Sequence, residues 1–266
     1  MFCSGNEKDK AIPKRDSIDE NQQTMINIVA NVMSIIRPIT DYNNTLNEKE
    51  GLRLCELLNA SNVLRDKCIN KLIEEQRHAE ALKVIVNNWE QITHNIIEMS
   101  KQLTLFTEVC NEDQIALIKY GCIEMSCIRH VMAYDTPNSL MTITMENGNS
   151  TIIKLSVIKE AKPDIYNLFE KFFDQFYPQW NCDPVIMDLM IAITLFNPNR
   201  PNLIYRDVVK LQQHIYYHSM DEAKSRLIKL LKSLQLLRTL NEIIAKDFYE
   251  YGNIFMGPLY KEIYGL

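Results

Sequence analysis

Glycine is the residue that most constrains what this sequence can form. Only 7 of the 266 residues are glycine, and the two that lie closest together, Gly252 and Gly257, are five positions apart. Neither GxGxxG nor GxxxxGK occurs, so both glycine-rich loops that cradle nucleotide phosphates are excluded. So few glycines also argue against an all-β fold, because such a fold needs many tight turns.

Long stretches without proline indicate long helices. Residues 39–136 and 202–257 contain no proline, which would break the hydrogen bonding inside a helix. Within the first stretch, apolar residues recur every three or four positions, as expected for one face of a helix. The sequence predicts helices at about 20–36, 50–58, 61–76, 78–103, 112–134, 163–177, 184–196, 205–221 and 222–250, and a short one starting at Pro258.

One segment departs from the helical pattern. Residues 141–145 and 151–155 alternate around Asn147-Gly148, a pair typical of a tight turn, and they predict one small β-hairpin. The predicted helix at 112–134 is apolar on most faces, which favours a place in the middle of the fold. We therefore predict a single all-α domain over 19–266 with one hairpin, preceded at 1–18 by a disordered leader or hinge remnant.

Charge, cysteine and histidine patterns argue against several functional classes. The formal net charge of −5 does not favour binding of the whole chain to nucleic acid. The cysteines include no CxxC pair, so neither a zinc finger nor a disulfide framework is expected. The longest apolar run, 185–196, is too short to cross a bilayer as a helix. His214 and His218 have metal-like spacing but no third ligand nearby, so we expect no metal site. No nucleophile–base pattern appears either, so we expect neither a cofactor nor enzymatic activity.

Residues 98–134 resemble the signature of nuclear receptor ligand-binding domains. In that family an apolar helix ends in Ala-Lys, a Phe follows five residues later, and Asp-Gln-hydrophobic-x-Leu-hydrophobic-Lys comes next. This chain has Ser100 for the Ala and Thr104-Leu105 for the common Pro-Gly turn, but it keeps Lys101, Phe106, Asp113, Gln114, Leu117 and Lys119. Blocks at 195–202, 230–242 and 258–265 resemble later parts of the family sequence, in the family's order.

The resemblance implies a fold and a function. The implied fold is a three-layer antiparallel helical sandwich. The implied function is ligand-dependent regulation of transcription in the nucleus, with DNA bound only through a separate domain that this chain lacks. The chain is most similar to the vitamin D receptor and liver X receptor group, and there to the nematode dafachronic acid receptors, so the implied ligand is a steroid-like lipid, a sterol carboxylic acid. The alternative is an orphan, constitutively docked interaction and dimerisation module whose pocket is filled by side chains.

The resemblance also implies a surface for coactivator helices of LxxLL sequence. A short helix can be held at its C-terminal carbonyls by a cation and at its N-terminal N–H groups by a carboxylate. Lys101, assisted by Lys119, would be the cation and Glu262 the carboxylate. The alternative is that both lysines are ordinary solvated residues. Ile97, Ile115 and Ile118 would line the floor of the surface and receive the leucines, and Gln114 is a further predicted coactivator-binding residue.

Arg129 is the predicted polar anchor for the ligand. It lies in an otherwise apolar run, and a buried guanidinium needs a partner. A ligand carboxylate or hydroxyl would serve, and so would an internal partner such as Asp135, Glu90 or a backbone carbonyl. The other ligand-facing positions that the resemblance implies are Trp89, Ile92, Thr93, Ile96, Ser126, Ala133 and Ile244, the last of which replaces a histidine of the resembling group.

Two further sets of residues carry predictions about charge pairing and dimerisation. Glu124 lies in an apolar helix and is expected to pair with Arg200, and Asp188 with Arg238. The helix at 222–250 supplies the dimer face in this family, for a homo- or heterodimer, and the alternative is packing within the domain. Its nearly heptad-spaced residues are Leu227, Leu230, Leu231, Leu234, Leu237, Ile244 and Phe248.

Overall fold

The computed structural model describes residues 48–65, 71–75, 77–145, 148–180, 182–219, 224–255 and 257–264. These described residues all belong to one compact unit. The predicted leader at 1–18 and the predicted helix at 20–36 lie outside the described residues.

The described chain is mainly helical, as the sequence predicts. The last helix begins at Pro258, as predicted. Asp183 caps the helix that begins at Pro184, because its side chain accepts hydrogen bonds from the N–H groups of Val185 and Ile186, at 3.0 and 3.4 Å. The helices are α1 (Glu48–Ala60), α2 (His78–Lys101), α3 (Thr104–Thr107), α4 (Asn111–His130), α5 (Ser156–Ala161), α6 (Pro163–Trp180), α7 (Pro184–Leu195), α8 (Arg206–His218), α9 (Lys224–Phe255) and α10 (Pro258–Tyr264).

A small sheet contains the predicted hairpin and two further strands. β3 (Leu140–Thr144) and β4 (Asn149–Lys154) pair antiparallel, and Gly148 adopts a φ of 78° just before β4. β1 (Lys71–Glu74) joins β4 in parallel, and β2 (Tyr134–Asp135) joins β3, so the order is β1-β4-β3-β2. The hairpin is confirmed, but the predicted helix at 61–76 is wrong. The described part of 61–76 is a 3₁₀ turn at Ser61–Leu64 followed by β1. The backbone of β1 pairs with the backbone of β4 and does not form the hydrogen bonds within one segment that a helix requires.

The prediction that 112–134 lies in the middle of the fold is confirmed. Every residue from Gly121 to Val131 is buried, as is every residue of α7 from Ile186 on. α4 packs against α2 on one side and against α7 and α9, while α7 also packs against α1 and α8. α6 packs along α9 and supplies stacked phenylalanines to the core. This arrangement is the predicted helical sandwich.

A buried ion pair joins the central helix to the loop after α7. Both Arg200 Nη atoms donate to the Glu124 carboxylate, at 2.7 and 2.8 Å, and Arg200 Nη2 also donates to Thr194 O at 3.1 Å. The predicted partnership of Glu124 with Arg200 is confirmed. That of Asp188 with Arg238 is wrong, because Asp188 is buried and lies 3.5 Å from the Arg65 guanidinium.

Three of the seven residues of the predicted dimer face on α9 are buried within the domain, namely Leu230, Leu237 and Ile244. Packing within the domain accounts for these three residues. Leu231 and Leu234 are half-buried, and the side chains of the other two lie outside the described part of the chain, so the dimer face stays a prediction. Within the described ranges, no helix is long and apolar enough to span a bilayer, and no cluster of metal-binding side chains occurs.

Candidate functional site

The C-terminal helix α10 is docked on the middle of α2 by two hydrogen bonds. The backbone N–H of Leu259 donates to Glu90 Oε1 at 2.7 Å, and the hydroxyls of Tyr260 and Thr93 lie 2.9 Å apart. Tyr260 is only 1% exposed, so its ring anchors α10 in the domain. The negative charge of the Glu90 carboxylate, at the first turn of α10, also interacts favourably with the positive end of the helix dipole.

Gly257 makes the Glu90 contact possible. A Cβ atom at position 257 would lie 1.2 Å from Glu90 Oε2, so a side chain there would collide with the carboxylate. The backbone of Gly257 therefore passes directly over Glu90, which is free to reach the N–H of Leu259. Sequence reasoning missed this pair, because nothing local links an acid on α2 with a glycine before α10.

Tyr260 occupies a buried position beside residues predicted to face the ligand. Burial raises the pKa of its phenol well above the usual range, and the neighbouring thiols of Cys122 and Cys127 add to the effect. Its hydroxyl partner, Thr93, is itself buried and was predicted to contact ligand. The side chain of Tyr260 thus lies beside Thr93, where the sequence analysis placed a bound ligand.

The predicted coactivator-binding residues lie on α2, α4 and α10. Lys101 and Glu262 are exposed, Lys119, Ile97 and Gln114 are half-buried, and Ile118 is buried. Ile115 is 65% exposed, so its apolar side chain lies at the surface. Lys101 Nζ donates to Glu98 Oε1 at 2.8 Å, so this cation already has a surface partner.

The signature residues have structural tasks that explain their spacing. The carboxylate of Asp113 is buried and accepts the backbone N–H groups of Ile204 and Tyr205, at 2.6 and 2.9 Å, which fixes the start of α8. Gln114 Nε2 donates to Val109 O at 2.7 Å, and Phe106 and Leu117 are buried. These contacts hold α4 beside the turn that follows α2.

Two adjoining cavities lie beside α2 and the hairpin. One, of about 140 Å³, is lined by 14 residues that include three predicted ligand positions, Arg129, Ile92 and Ala133. The other, of about 700 Å³, is more open and reaches the start of α10 at Pro258 and Leu259. They share the four lining residues Asn88, Gln91, Thr144 and Met145.

Arg129 is held by backbone and sulfur contacts. Its Nη2 donates to the carbonyl of Leu64, and its Nη1 contacts Met132 Sδ. Of the internal partners considered, the backbone carbonyl is therefore present, while Glu90 accepts instead from Leu259. Arg129 still lines the smaller cavity, as an anchor for a ligand would.

The remaining predicted ligand positions do not line either cavity. Trp89 is half-buried and packs edge-on against His130, with ring centroids 6.3 Å apart. Thr93, Ile96, Ser126 and Ile244 are buried. The structure thus gathers Arg129, Ile92 and Ala133 at one cavity and places these four in the core.

His130 and Asn88 are lining residues that sequence reasoning missed. His130 Nδ1 lies 2.7 Å from Ser126 O, and its Nε2 lies 2.9 Å from Asn88 Oδ1. Burial lowers the pKa of His130 to about 4, and the Arg129 charge next to it adds to the lowering, so the imidazole is neutral at pH 7. Burial raises the pKa of Asp188 to about 6 despite the nearby arginines.

These two groups predict a specific pH dependence of folding. The pKa of His130 is about 6.5 unfolded and about 4 folded, so its contribution to stability is lost as the pH falls from 6.5 to 4. The pKa of Asp188 is about 3.9 unfolded and about 6 folded, so its contribution rises as the pH falls over nearly the same window. Asp188→Asn should therefore steepen the acid loss of stability, by up to about 1.4 kcal/mol per pH unit.

Urea unfolding between pH 4 and 7 measures this slope. Asp174→Asn, on an exposed carboxylate of α6, is the matched control and should leave the slope unchanged. Equal slopes for the Asp188→Asn variant and the wild-type protein would contradict the opposition of the two groups.

Comparisons with known proteins agree with this architecture. Nuclear hormone receptor HR96 of Drosophila melanogaster is 31% identical over 242 residues, which cover 83% of this chain and 34% of that protein. Nuclear receptor ROR-beta of Homo sapiens is 29% identical over 195 residues, which cover 65% of this chain and 40% of that protein. Nuclear hormone receptor family member nhr-8 of Caenorhabditis elegans is 24% identical over 236 residues, which cover 85% of this chain and 41% of that protein. No protein-family model matches the sequence.

The chain spans well under half the length of each of these relatives. All three are named as receptors, which confirms the prediction that the domain is not an enzyme. The long central helices, the small sheet and the docked last helix follow the order that the resemblance implies. Fold and sequence together therefore identify this chain as a nuclear receptor domain with the helical fold of the ligand-binding domain.

Proposed function

We propose that this domain regulates transcription in the nucleus by binding the LxxLL helix of a coactivator, under the control of a steroid-like ligand. The observation that carries the proposal is the docking of α10 on α2 through Glu90 and Thr93. This docking puts the helix that carries Glu262 beside the helix that ends at Lys101. An LxxLL helix needs both charges, one at each of its ends.

The spacing along α2 fits a short helix. Glu90, Thr93, Ile97 and Lys101 are separated by three, four and four residues, so they lie along one side of the helix. At 1.5 Å per residue, Lys101 is roughly 16 Å from the point where Glu90 holds α10. A bound helix of about ten residues has that length, and the exposed Ile115 offers apolar contact for its leucines.

The existing contact of Lys101 does not oppose this role. Its ion pair with Glu98 is exposed on both sides, and such pairs contribute at most about 1 kcal/mol. Lys101 can exchange Glu98 for the C-terminal carbonyls of a peptide helix, because a hydrogen bond from its ammonium group to a carbonyl is still charge-assisted.

Lys101→Ala and Glu262→Ala should each lower the affinity for an LxxLL peptide at least tenfold without unfolding the domain, because both side chains are exposed. Peptide titration by fluorescence anisotropy, with circular dichroism as the folding check, measures both effects. Lys83→Ala removes an equally exposed lysine of α2 that pairs with Glu80 at 3.0 Å, so it is the matched control. If the Lys101→Ala and Glu262→Ala variants both bound the peptide with unchanged affinity, the proposed coactivator-binding surface would be wrong.

The ligand of this proposal is a sterol carboxylic acid whose acidic end lies against Arg129. A cavity of about 140 Å³ is too small for a whole sterol, because drug-sized ligands occupy roughly 300–1,000 Å³. The adjoining cavity of about 700 Å³ offers room for the body and borders Pro258 and Leu259 of α10. A molecule spanning both would touch the anchor and the docked helix at once, as expected of receptors in the vitamin D and liver X group and of the dafachronic acid receptors.

Arg129→Met should weaken an acidic sterol roughly 10- to 100-fold more than its uncharged alcohol, because a charge-assisted hydrogen bond contributes about 1.5–3 kcal/mol. Calorimetric titration of both ligands measures the difference. Arg238→Met, on an exposed arginine of α9, controls for the change of net charge. An equal loss for acid and alcohol would indicate that Arg129 serves only Leu64 and the surrounding structure.

A constitutive module is the second candidate, and the buried Tyr260 favours it. A docked α10 whose own side chain fills the core needs no ligand to hold it in place. Thermal melting separates the two functions, since a ligand at 100 times its dissociation constant adds about 2.7 kcal/mol to stability. Full peptide binding without any shift from a sterol acid would support the constitutive module.

A further inference from the structure

The smaller cavity beside α2 has two arginines and no acid among its 14 lining residues, all of which belong to the described chain. The arginines are Arg65 and Arg129. His130 also lines the cavity and is neutral at pH 7, because burial lowers its pKa to about 4. The amide and hydroxyl side chains around them are those of Asn88, Gln91, Asn95, Thr142 and Thr144. The charges among the lining residues are therefore both positive, so the cavity suits a negatively charged group.

A buried acid lies behind the two arginines. Asp188 on α7 is only 4% exposed, and its Oδ2 lies 3.5 Å from Arg65 Nη2. Burial raises the pKa of Asp188 to about 6, and the charges of Arg65 and Arg129 act against this rise, so both arginines are close enough to interact with the carboxylate. At neutral pH the acid is mainly ionised, and the three side chains together carry one net positive charge.

Asp188 differs from the other buried acid that has an arginine partner. Glu124 accepts two hydrogen bonds from Arg200, at 2.7 and 2.8 Å, whereas Asp188 Oδ2 accepts none from any described residue. Arg65 donates instead from Nε to Asn62 Oδ1 at 3.0 Å, and its side chain is 47% exposed. A carboxylate placed in this way lowers the positive potential in the cavity, but its Oδ2 does not take up the donors of the arginines.

We propose that Asp188 is the internal counter-ion of this cavity, which holds the charge of the arginine pair at one and so selects a ligand group with one negative charge over a group with two. The proposal rests on the proposed function, in which a ligand acid lies against Arg129, and it explains why that acid is a carboxylate and not a phosphate. A phosphate would leave one negative charge uncompensated, which is costly away from water. Asp188 does not line the cavity, so it acts on the ligand through Arg65 and Arg129 and not by contact.

Two small anions measure the charge preference without a sterol. Acetate carries one negative charge, and methyl phosphate carries close to two at about pH 8, since the second pKa of a phosphate monoester is about 6. Both fit a cavity of about 140 Å³, because a water molecule in the liquid takes up only about 30 Å³. The dissociation constant of each anion follows from the stability that it adds in urea unfolding of the full chain at constant ionic strength.

Asp188→Asn should raise the affinity for acetate roughly fivefold and the affinity for methyl phosphate roughly 25-fold, because the Coulomb energy doubles when the charge of the ligand doubles. Arg65→Gln should lower both affinities, and that for methyl phosphate more strongly. Asp174→Asn and Arg238→Gln make the same changes of net charge at exposed positions and should leave both affinities unchanged. Circular dichroism checks that all four variants fold.

The pattern across the two anions separates a counter-ion from a residue that only supports the structure. Equal effects of Asp188→Asn on acetate and methyl phosphate, no effect on either, or the same change in Asp174→Asn would overturn the proposal. Failure of both anions to bind any variant would also overturn it.

Titration of a sterol carboxylic acid and its alcohol into the same variants distinguishes this proposal from the proposed function. If the small anions respond as expected but no sterol acid binds, the steroid-like ligand is wrong and the charge selection by Asp188 stands. If the sterol acid binds through Arg129 with an affinity that Asp188→Asn leaves unchanged, the counter-ion role is wrong and the proposed function stands.

Discussion

Replacing Arg200 with methionine should lower the free energy of unfolding by about 3–5 kcal/mol, because it leaves the Glu124 carboxylate buried without its cation. Both side chains are about 5% exposed, so water cannot substitute for the lost partner. The double hydrogen bond also ties α4 to the loop after α7, and that connection is lost with it. Urea denaturation at pH 7 measures the change.

Two further variants decide the cause of that loss. Replacing both residues, in an Arg200→Met, Glu124→Leu chain, should recover most of the stability, because apolar substitutes for a buried ion pair are often neutral. Lys83→Met removes the cation of an exposed pair and should cost less than about 1 kcal/mol. If Arg200→Met lowered the free energy of unfolding no more than Lys83→Met does, the buried pair would not stabilise the domain.

Replacing Tyr260 with alanine should reduce LxxLL peptide affinity at least roughly 100-fold while the rest of the domain stays folded. Removing a buried aromatic side chain costs about 3–5 kcal/mol. A helix as short as α10 is not stable alone in water, so it depends on this anchor to stay docked. About 3 kcal/mol taken from docking converts to about two orders of magnitude in peptide affinity.

The matched variants separate the ring from the hydroxyl. Tyr260→Phe keeps the packing and loses the hydroxyl with its hydrogen bond to Thr93, so it should cost roughly five- to tenfold in affinity. Tyr205→Ala removes a tyrosine that is 56% exposed outside this surface and should have no effect. Fluorescence anisotropy with the same peptide measures all three, and wild-type binding by Tyr260→Ala would show that α10 docks without its anchor.

The sequence predicted those elements whose information is local. The long α2, the buried α4 and the start of α10 at Pro258 all follow from apolar periodicity and proline position, and the structure has each of them. The strand β1 does not follow, because its residues become a strand only by pairing with β4, whose residues lie almost 80 positions later. Local pattern cannot reveal such a partner.

The candidate site divides in the same way. Arg129 stands out as a charge in an apolar run, so its place at a cavity could be predicted, but its bond to the Leu64 carbonyl could not. The docking contacts of Glu90 and Tyr260 join residues almost 170 positions apart. Neither side chain is unusual for its own segment, and only the folded arrangement of α2 and α10 brings them together.

The close passage of Gly257 over Glu90 couples the two positions energetically. While the glutamate is present, a side chain at 257 displaces its carboxylate from the Leu259 N–H. Once Glu90 is replaced by a smaller residue, the collision disappears and position 257 can hold a side chain. The effects of the two changes on stability are therefore not additive, and a substitution at 257 costs less in a chain that has already lost Glu90.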